Sequence, residues 1–110
     1  MQPRIVNAAQ AEFLPYDLEG PEQLRLIRWL PITYDRQTGA GSYYFQMLPG
    51  AVTTPHTHPR HEEFFVIEGE AIESDGRVLK SGDFVSFQPG SYHNTRSETG
   101  CLLLVVEWTT

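Results

Sequence analysis

The sequence contains one cysteine, few basic residues and no long apolar run, and each shortage excludes a class of proteins. Cys101 cannot form an internal disulfide, and its place at the start of CLLLVV predicts a small buried hydrophobe. The 8 lysines and arginines against 14 acidic residues give a net charge of −6. Because these basic residues are scattered, the sequence lacks the positive patch of a nucleic-acid binder.

Signals for membranes and for secretion are also missing. No stretch approaches the roughly 20 apolar residues that a membrane span requires. The first residues, MQPRIVNAAQAEF, lack the apolar centre of a secretory signal. We therefore expect a cytoplasmic protein with neither a membrane nor a nucleic acid as its partner.

The spacing of proline and glycine predicts an all-β fold. A chain of 110 residues fits one domain. Its 9 glycines and 8 prolines separate short segments rich in aromatic and branched residues, which is typical of many short strands. The candidate strands are LRLIRWLPI, GSYYFQML, EEFFVIEGEAIE, RVLK, GDFVSF and CLLLVVEW. We expect an all-β barrel or sandwich, with residues 1–30 as an N-terminal arm or edge strand of the domain and residues 31–110 as its barrel.

Local patterns refine this expectation. Asp75-Gly76 predicts a two-residue hairpin with a type I′ turn, so AIES and RVLK should pair antiparallel. Evidence for helices is limited to EGPEQLRLIRWL, which suits a strand equally well. The predicted barrel core is Tyr43, Phe45, Met47, Phe64, Phe84, Phe87 and Trp108.

Three of the four histidines lie in the short stretch PHTHPRHEEFF. His56 and His58 are two residues apart, so on a strand their imidazoles project from the same face. Pro59 then favours a turn, after which the chain can bring a glutamate back beside them. Alternation leaves open whether Glu62 or Glu63 faces inward. His61, at the turn, is interpreted as a solvated side chain.

The fourth histidine, His93, follows the Pro89-Gly90 turn and can reach the same cavity from a neighbouring strand. Neutral imidazoles with a carboxylate suit iron, zinc, manganese, nickel or copper. Two histidines with one carboxylate, leaving open positions, form a known iron(II) arrangement.

These two stretches resemble the two cupin motifs. In the first, Gly50 is followed after five residues by His56-x-His58, after three more by Glu62, and after six more by Gly69. GDFVSFQPGSYH resembles the second motif, although Gln88 stands where proline is usual and Ser97 where many members have asparagine. PGSYHNTRSETGCLLLVV is similar to the ChrR-like group of cupins.

The resemblance implies a double-stranded β-helix, also called a cupin or jelly-roll barrel. It further implies one divalent transition metal ion held by His56, His58, Glu62 and His93. It selects Glu62 over Glu63, because Glu62 has the family's distance to Gly69. Small cupins commonly pair, so it also implies a homodimer. The ChrR-like group includes zinc-binding sensor domains and iron-dependent dioxygenases that cleave small diketone-type substrates.

Two functions are compatible with these residues. One is a metal-dependent enzyme acting on a small molecule, such as a non-haem dioxygenase, an oxidoreductase. The other is a non-catalytic module that binds a small ligand or senses a signal. Among other side chains, Asp83 can either orient a ligand histidine or make a turn, which we favour, and Arg28, Tyr92 and Arg96 are candidates for binding an anionic substrate.

Overall fold

The computed structural model describes residues 1–16 and 22–109, and antiparallel strands dominate it. The strands are β1 (Leu14–Pro15), β2 (Ile27–Pro31), β3 (Gly41–Met47), β4 (Ala51–Val52), β5 (His56–Thr57), β6 (His61–Glu73), β7 (Val78–Lys80), β8 (Phe84–Phe87), β9 (Tyr92–His93), β10 (Thr95–Ser97) and β11 (Cys101–Trp108). One helical turn, α1 (Glu22–Arg25), precedes β2. The predicted all-β class is confirmed. Within the described ranges, no helix is long and apolar enough to cross a membrane.

The long strand β6 connects two sheets. Its first half pairs with β11 and β8, and β11 continues through β3, β2 and β1. Its second half pairs with β10 and β7, and β10 continues to β4. A separate ribbon of β5 and β9 lies beside them. β2 pairs with β3 from Ile27 to Pro31 and so crosses the predicted boundary between residues 30 and 31.

An irregularity in β6 changes which side chains face inward. Before it, Val66 pairs with Leu103, and after it Glu68 pairs with Leu102, so Ile67 is an extra residue. Such a bulge reverses the alternation of a strand. Gly69 allows β6 to pass close to the chain just before β11, because a Cβ at this position would lie only 2.1 Å from the Gly100 carbonyl oxygen. The inward face of β6 therefore changes from even to odd numbers.

The core lies between the sheets. Alternate residues of β3 and β11 are buried, and Phe64 joins them from β6. The buried apolar residues are Ile27, Tyr43, Phe45, Met47, Ala51, Phe64, Val66, Ala71, Cys101, Leu103 and Val105. Two predicted core residues were wrong: Phe84 is 62% exposed, and Trp108 is not among the side chains packed against the core. Phe87 is partly buried and packs against the core. Cys101 is buried as expected.

The hairpin at Asp75-Gly76 forms, but its turn differs from the prediction. Ile72 pairs with Val78 across it. Gly76 has a φ of 91°, whereas no described residue other than glycine has a positive φ. Because a type I′ turn requires positive φ at both central residues, Asp75 cannot occupy one. The Gly76 amide instead donates to the Glu73 carbonyl at 2.9 Å.

Candidate metal centre

The ribbon of β5 and β9 brings histidines from two distant stretches together. His56 and His93 are direct cross-strand partners. His58 follows on the same chain, and its amide donates to the Ser91 carbonyl at 2.9 Å. The Gly90 amide donates back to the His58 carbonyl at 2.8 Å. These backbone bonds hold the three imidazoles at one end of the barrel.

The first residues of β6 place one glutamate inside and the other outside. Glu62 lines the cavity beside the histidines. Glu63 lies on the outer face, where its carboxylate accepts hydrogen bonds from Ser86 Oγ at 2.9 Å and from Trp108 Nε1 at 3.3 Å. His61 also faces outward, but it is not simply solvated. Its ring stacks on Trp108 with centroids 3.9 Å apart and an interplanar angle of 4°.

Three donor atoms converge on a single point. Nε2 of His58 lies 2.5 Å from Nε2 of His93 and 2.5 Å from Oε2 of Glu62. Nε2 of His93 lies 3.6 Å from the same carboxylate oxygen. Donor atoms of His56, His58 and Glu62 all lie within 4.8 Å of one another. The four predicted ligand side chains are therefore neighbours.

The chemistry of the donor set suits a metal ion. Nε2 of His58 and Nε2 of His93 face each other, so at most one of them can carry a hydrogen between them, and the other offers a lone pair that a cation can use. Oε2 of Glu62 is buried and has no aligned hydrogen bond. A buried carboxylate oxygen without such a partner is costly, and a cation between these atoms would satisfy it. Two or three imidazoles with a carboxylate are ligands that divalent transition metals accept.

Each of two imidazoles is oriented by a contact at its other nitrogen. Nδ1 of His56 lies 2.8 Å from the Thr54 carbonyl oxygen, and Nδ1 of His93 lies 2.6 Å from Oε1 of Glu73. Both partners only accept, so each Nδ1 carries a hydrogen, and Nε2 is the nitrogen that a metal would use once no proton occupies it. Thr95 Oγ1 donates to the other oxygen of Glu73. Carboxylate–histidine pairs of this kind orient ligands at metal sites.

Sequence reasoning missed Glu73 and weighed Asp83 instead. Asp83 makes the favoured turn, because its carboxylate accepts from the Lys80 amide at 2.7 Å and its amide donates to the Lys80 carbonyl at 2.9 Å. Glu73 is only 5% exposed and belongs to the second half of β6. Glu73 is an odd number of residues from Glu62, so regular strand alternation would place it on the outer face. Only the bulge at Ile67 turns it inward.

The charges within the site shift two pKa values. Burial opposes ionisation of Glu62, but His58 and His93 outweigh burial and lower the pKa of Glu62 to about 2. Burial likewise opposes a charge on His93, yet Glu62 and Glu73 raise the pKa of His93 to about 9. The metal-free site therefore holds a proton on His93 at neutral pH, and a metal must displace it.

A cavity of about 350 Å³ opens beside these four side chains. Its size lies within the range of small-molecule sites. Apolar side chains supply much of its wall, including Leu24, Phe45, Phe64, Leu103 and Val105. The arrangement can bind a small molecule next to the donor cluster and keep bulk water away from it.

A second polar cluster lies in the same cavity wall. Tyr43 donates from its hydroxyl to Oε2 of Glu107 at 2.8 Å, and Arg60 Nη2 lies 3.4 Å from Oε1 of Glu107. Burial, together with the charges of Glu107 and Glu62, raises the pKa of Tyr43 well above its ordinary value. The phenol therefore stays protonated and remains a donor.

The residues proposed from the sequence for an anionic substrate lie elsewhere. Arg28, Tyr92 and Arg96 are exposed and do not line this cavity. Arg96 instead lies 3.7 Å from Glu98. Sequence reasoning also missed Arg60, which stands in the bend between His58 and the start of β6, where strand alternation does not apply.

Comparisons with known proteins agree with this architecture. The family model of the ChrR cupin-like domain matches residues 2–110. A search of curated proteins finds no significant match.

Several solved structures are similar. An RmlC-like cupin from Shewanella frigidimarina NCIMB 400 is 21% identical, with a TM-score of 0.72 over 96% of this chain and 90% of that one. The polyketide cyclase RemF from Streptomyces resistomycificus is 20% identical, with a TM-score of 0.75 over 96% and 79%. A candidate acetylacetone dioxygenase from Methylibium petroleiphilum PM1 is 16% identical, with a TM-score of 0.76 over 96% and 76%. At these identities the likeness shows the RmlC-like fold.

Proposed function

Because the chain belongs to the ChrR-like cupin family, we propose that it is a metal-dependent enzyme acting on a small molecule. In this proposal His56, His58, Glu62 and His93 hold one divalent transition metal ion. The convergence of Nε2 of His58, Nε2 of His93 and Oε2 of Glu62 at a cavity wall carries it. The metal would supply Lewis-acid polarisation of a substrate oxygen and, as iron(II), access to dioxygen chemistry.

The other residues have supporting roles. Glu73 holds the proton on Nδ1 of His93, so that the lone pair of Nε2 points at the site. The apolar wall, including Phe45, Phe64 and Leu103, excludes water from the reacting groups. The polar side of the cavity, Arg60 with Glu107 and Tyr43, orients the substrate.

Elemental analysis of protein purified without added metal tests the proposal first. Oxygen uptake by the iron(II)-loaded chain with small β-dicarbonyl compounds comes next. Bound iron together with oxygen consumption would support a dioxygenase. Protein that binds none of iron, zinc, manganese, nickel or copper would contradict the metal site altogether.

A non-catalytic sensing or ligand-binding module is the second candidate. Four protein ligands can close a tetrahedral zinc site and leave no open position, as in structural sites. This site has four such side chains, three histidines and one glutamate, and that number favours the non-catalytic module. Tightly bound zinc with no reaction toward any β-dicarbonyl compound would select it.

The proposal includes a homodimer. Apolar side chains form a row across the outer face of the sheet that contains β8, β6, β11 and β3. In this row Phe84 pairs with Phe65, Phe65 with Leu104 and Leu104 with Tyr44. Phe84 is 62% and Phe65 39% exposed. Contiguous exposed apolar surface of this kind commonly marks a protein contact. A measurement of the molecular mass in solution tests the homodimer.

A cytoplasmic location and the lack of a nucleic-acid partner stay predictions from composition.

A further inference from the structure

Arg60 is the only lysine or arginine among the described residues that line the metal cavity. It lies between two of the proposed ligands, with His58 two residues before it and Glu62 two residues after it. All three line the cavity. The stretch that supplies metal ligands therefore also supplies a positive charge to the same space.

The position of the guanidinium group is set by two neighbours. It packs directly on the backbone of Gly39, where a Cβ would lie 2.5 Å from Arg60 Cζ. Gly39 has a φ of 74° and sits in the turn closed by the bond from the Asp35 amide to the Ala40 carbonyl. Glu107, on β11, contacts Nη2 of Arg60, and the Tyr43 hydroxyl donates a hydrogen bond to Glu107. The group is thus held in place by side chains and by backbone.

Most of the donor capacity of Arg60 is unused. A guanidinium carries five N–H donors in a fixed planar fork that matches a carboxylate. Its one hydrogen bond within the described residues, to Glu107, is 3.4 Å long, whereas charge-assisted bonds are typically about 2.7–2.9 Å. Nε is buried and has no partner, which is unfavourable unless another acceptor is supplied.

The balance of charge in the cavity favours an anion. With a divalent ion in place, Glu107 offsets Arg60 and Glu62 offsets one of the two charges of the ion, so one positive charge faces the cavity. Glu73 lies behind His93 and does not line the cavity. The remaining wall is apolar or aromatic and suits a small organic body. We infer that Arg60 binds the carboxylate of a small organic acid whose second oxygen donor group reaches the metal. This inference rests on the proposed metal site and specifies the class of its substrate.

Matched pairs of chelators test the inference on the whole chain loaded with cobalt(II). The probes are the monohydroxamates of malonate, succinate and glutarate, each compared with its own methyl ester, which lacks the negative charge. The hydroxamate binds the metal, and the three lengths sample the unknown span to Arg60. Binding is followed by calorimetry and by the visible spectrum of cobalt.

At least one acid should bind the unsubstituted chain about tenfold or more tightly than its ester, as expected for hydrogen bonds to a charged group. Arg60→Gln should bring that ratio close to one while the cobalt content and the affinity for the ester stay the same. Arg60→Lys, which keeps the charge without the fork, should retain part of the preference. Arg96→Gln, which removes an exposed arginine outside the cavity, should retain all of it.

The outcomes separate this inference from the proposed function. Cobalt-loaded protein that shows no preference for any of the three acids would overturn the inference alone, and so would a preference that persists in Arg60→Gln. A chain that binds no cobalt would overturn the metal site and, with it, this inference.

Discussion

Two glutamates near the candidate metal centre differ in how completely their oxygens are hydrogen-bonded. Glu73 is 5% exposed and contacts Nδ1 of His93 at 2.6 Å with one oxygen and Thr95 Oγ1 with the other. Glu107 accepts a bond of 2.8 Å from Tyr43, but its contact with Arg60 is 3.4 Å long. The Glu73 cluster, formed with His93 and Thr95, is closed, because both oxygens of the carboxylate are bonded. The Glu107 cluster, formed with Tyr43 and Arg60, is open, because Arg60 keeps unused donors next to the cavity.

This difference indicates different roles. A buried side chain whose polar atoms are all hydrogen-bonded is fixed in one orientation, which suits the positioning of a ligand histidine. A cation with spare donors can still accept a ligand. Under the proposed function, we therefore interpret the Glu73 cluster as support for the metal and the Glu107 cluster as the place where the substrate would be recognised.

The largest effect expected is that of removing a ligand. His58→Ala should lower metal affinity by more than about 100-fold, because even residues behind the ligands typically contribute about 10–100-fold. Elemental analysis after dialysis against a weak chelator measures the loss. Glu63→Gln removes a neighbouring carboxylate on the outer face and should keep the metal. Stoichiometric metal in His58→Ala, or its loss in Glu63→Gln, would contradict the assignment of the ligands.

Glu73→Gln tests the closed cluster itself. The amide lacks the charge that orients His93, so metal affinity should fall by about 10–100-fold. Asp83→Asn is the matched control, because the one described hydrogen bond of the Asp83 carboxylate is to the Lys80 amide, away from the histidines. Competition with a coloured chelator measures both variants. Equal affinities in the two variants would mean that Glu73 has no positioning role.

Gly39→Ala tests the open cluster without removing a charge. Its Cβ would displace the guanidinium of Arg60, so the preference for a carboxylate over its methyl ester should fall by a few-fold while the metal stays bound. Gly76→Ala carries the same kind of backbone strain at a φ of 91°, but no atom lies within 4 Å of its Cβ. If both variants lose the preference equally, general destabilisation explains the effect and displacement of Arg60 does not.

The smallest expected effect is a pH dependence of the metal-free chain. The pKa of Glu62 falls from 4.5 to about 2, so its contribution to stability is present above pH 4.5 and is lost as the pH falls toward 2. The pKa of His93 rises from 6.5 to about 9, so its contribution is present below pH 6.5 and is lost as the pH rises through 9.

The melting temperature of chelator-treated protein should therefore be highest between about pH 4.5 and 6.5. Glu73→Gln should flatten the alkaline side, because one of the two carboxylates that raise the pKa of His93 is gone. A melting temperature that does not change between pH 6.5 and 9 would show that the His93 contacts contribute nothing to stability.

Much of the fold and of the candidate site was predictable from local patterns. Alternation in GSYYFQML placed Tyr43, Phe45 and Met47 on one face, and all three are buried. The hairpin at Asp75-Gly76 also followed from sequence, although its turn type did not. Phe84 was placed wrongly, because the strand pattern of GDFVSF does not say which face meets the core.

Short spacings by themselves determined the all-β class and the pairing of His56 with His58 on one face, because strand periodicity and turn residues act over a few positions. The choice of Glu62 over Glu63 and the complete set with His93 came from the likeness of two sequence stretches to the cupin motifs. Only the tertiary structure decided which other side chains join the site. The bulge at Ile67 turns Glu73 toward His93, and the pairing of β3 with β11 brings Tyr43 and Glu107 beside Arg60, which lies in the bend before β6. Both depend on pairing between segments far apart in the chain, and no local pattern encodes that register.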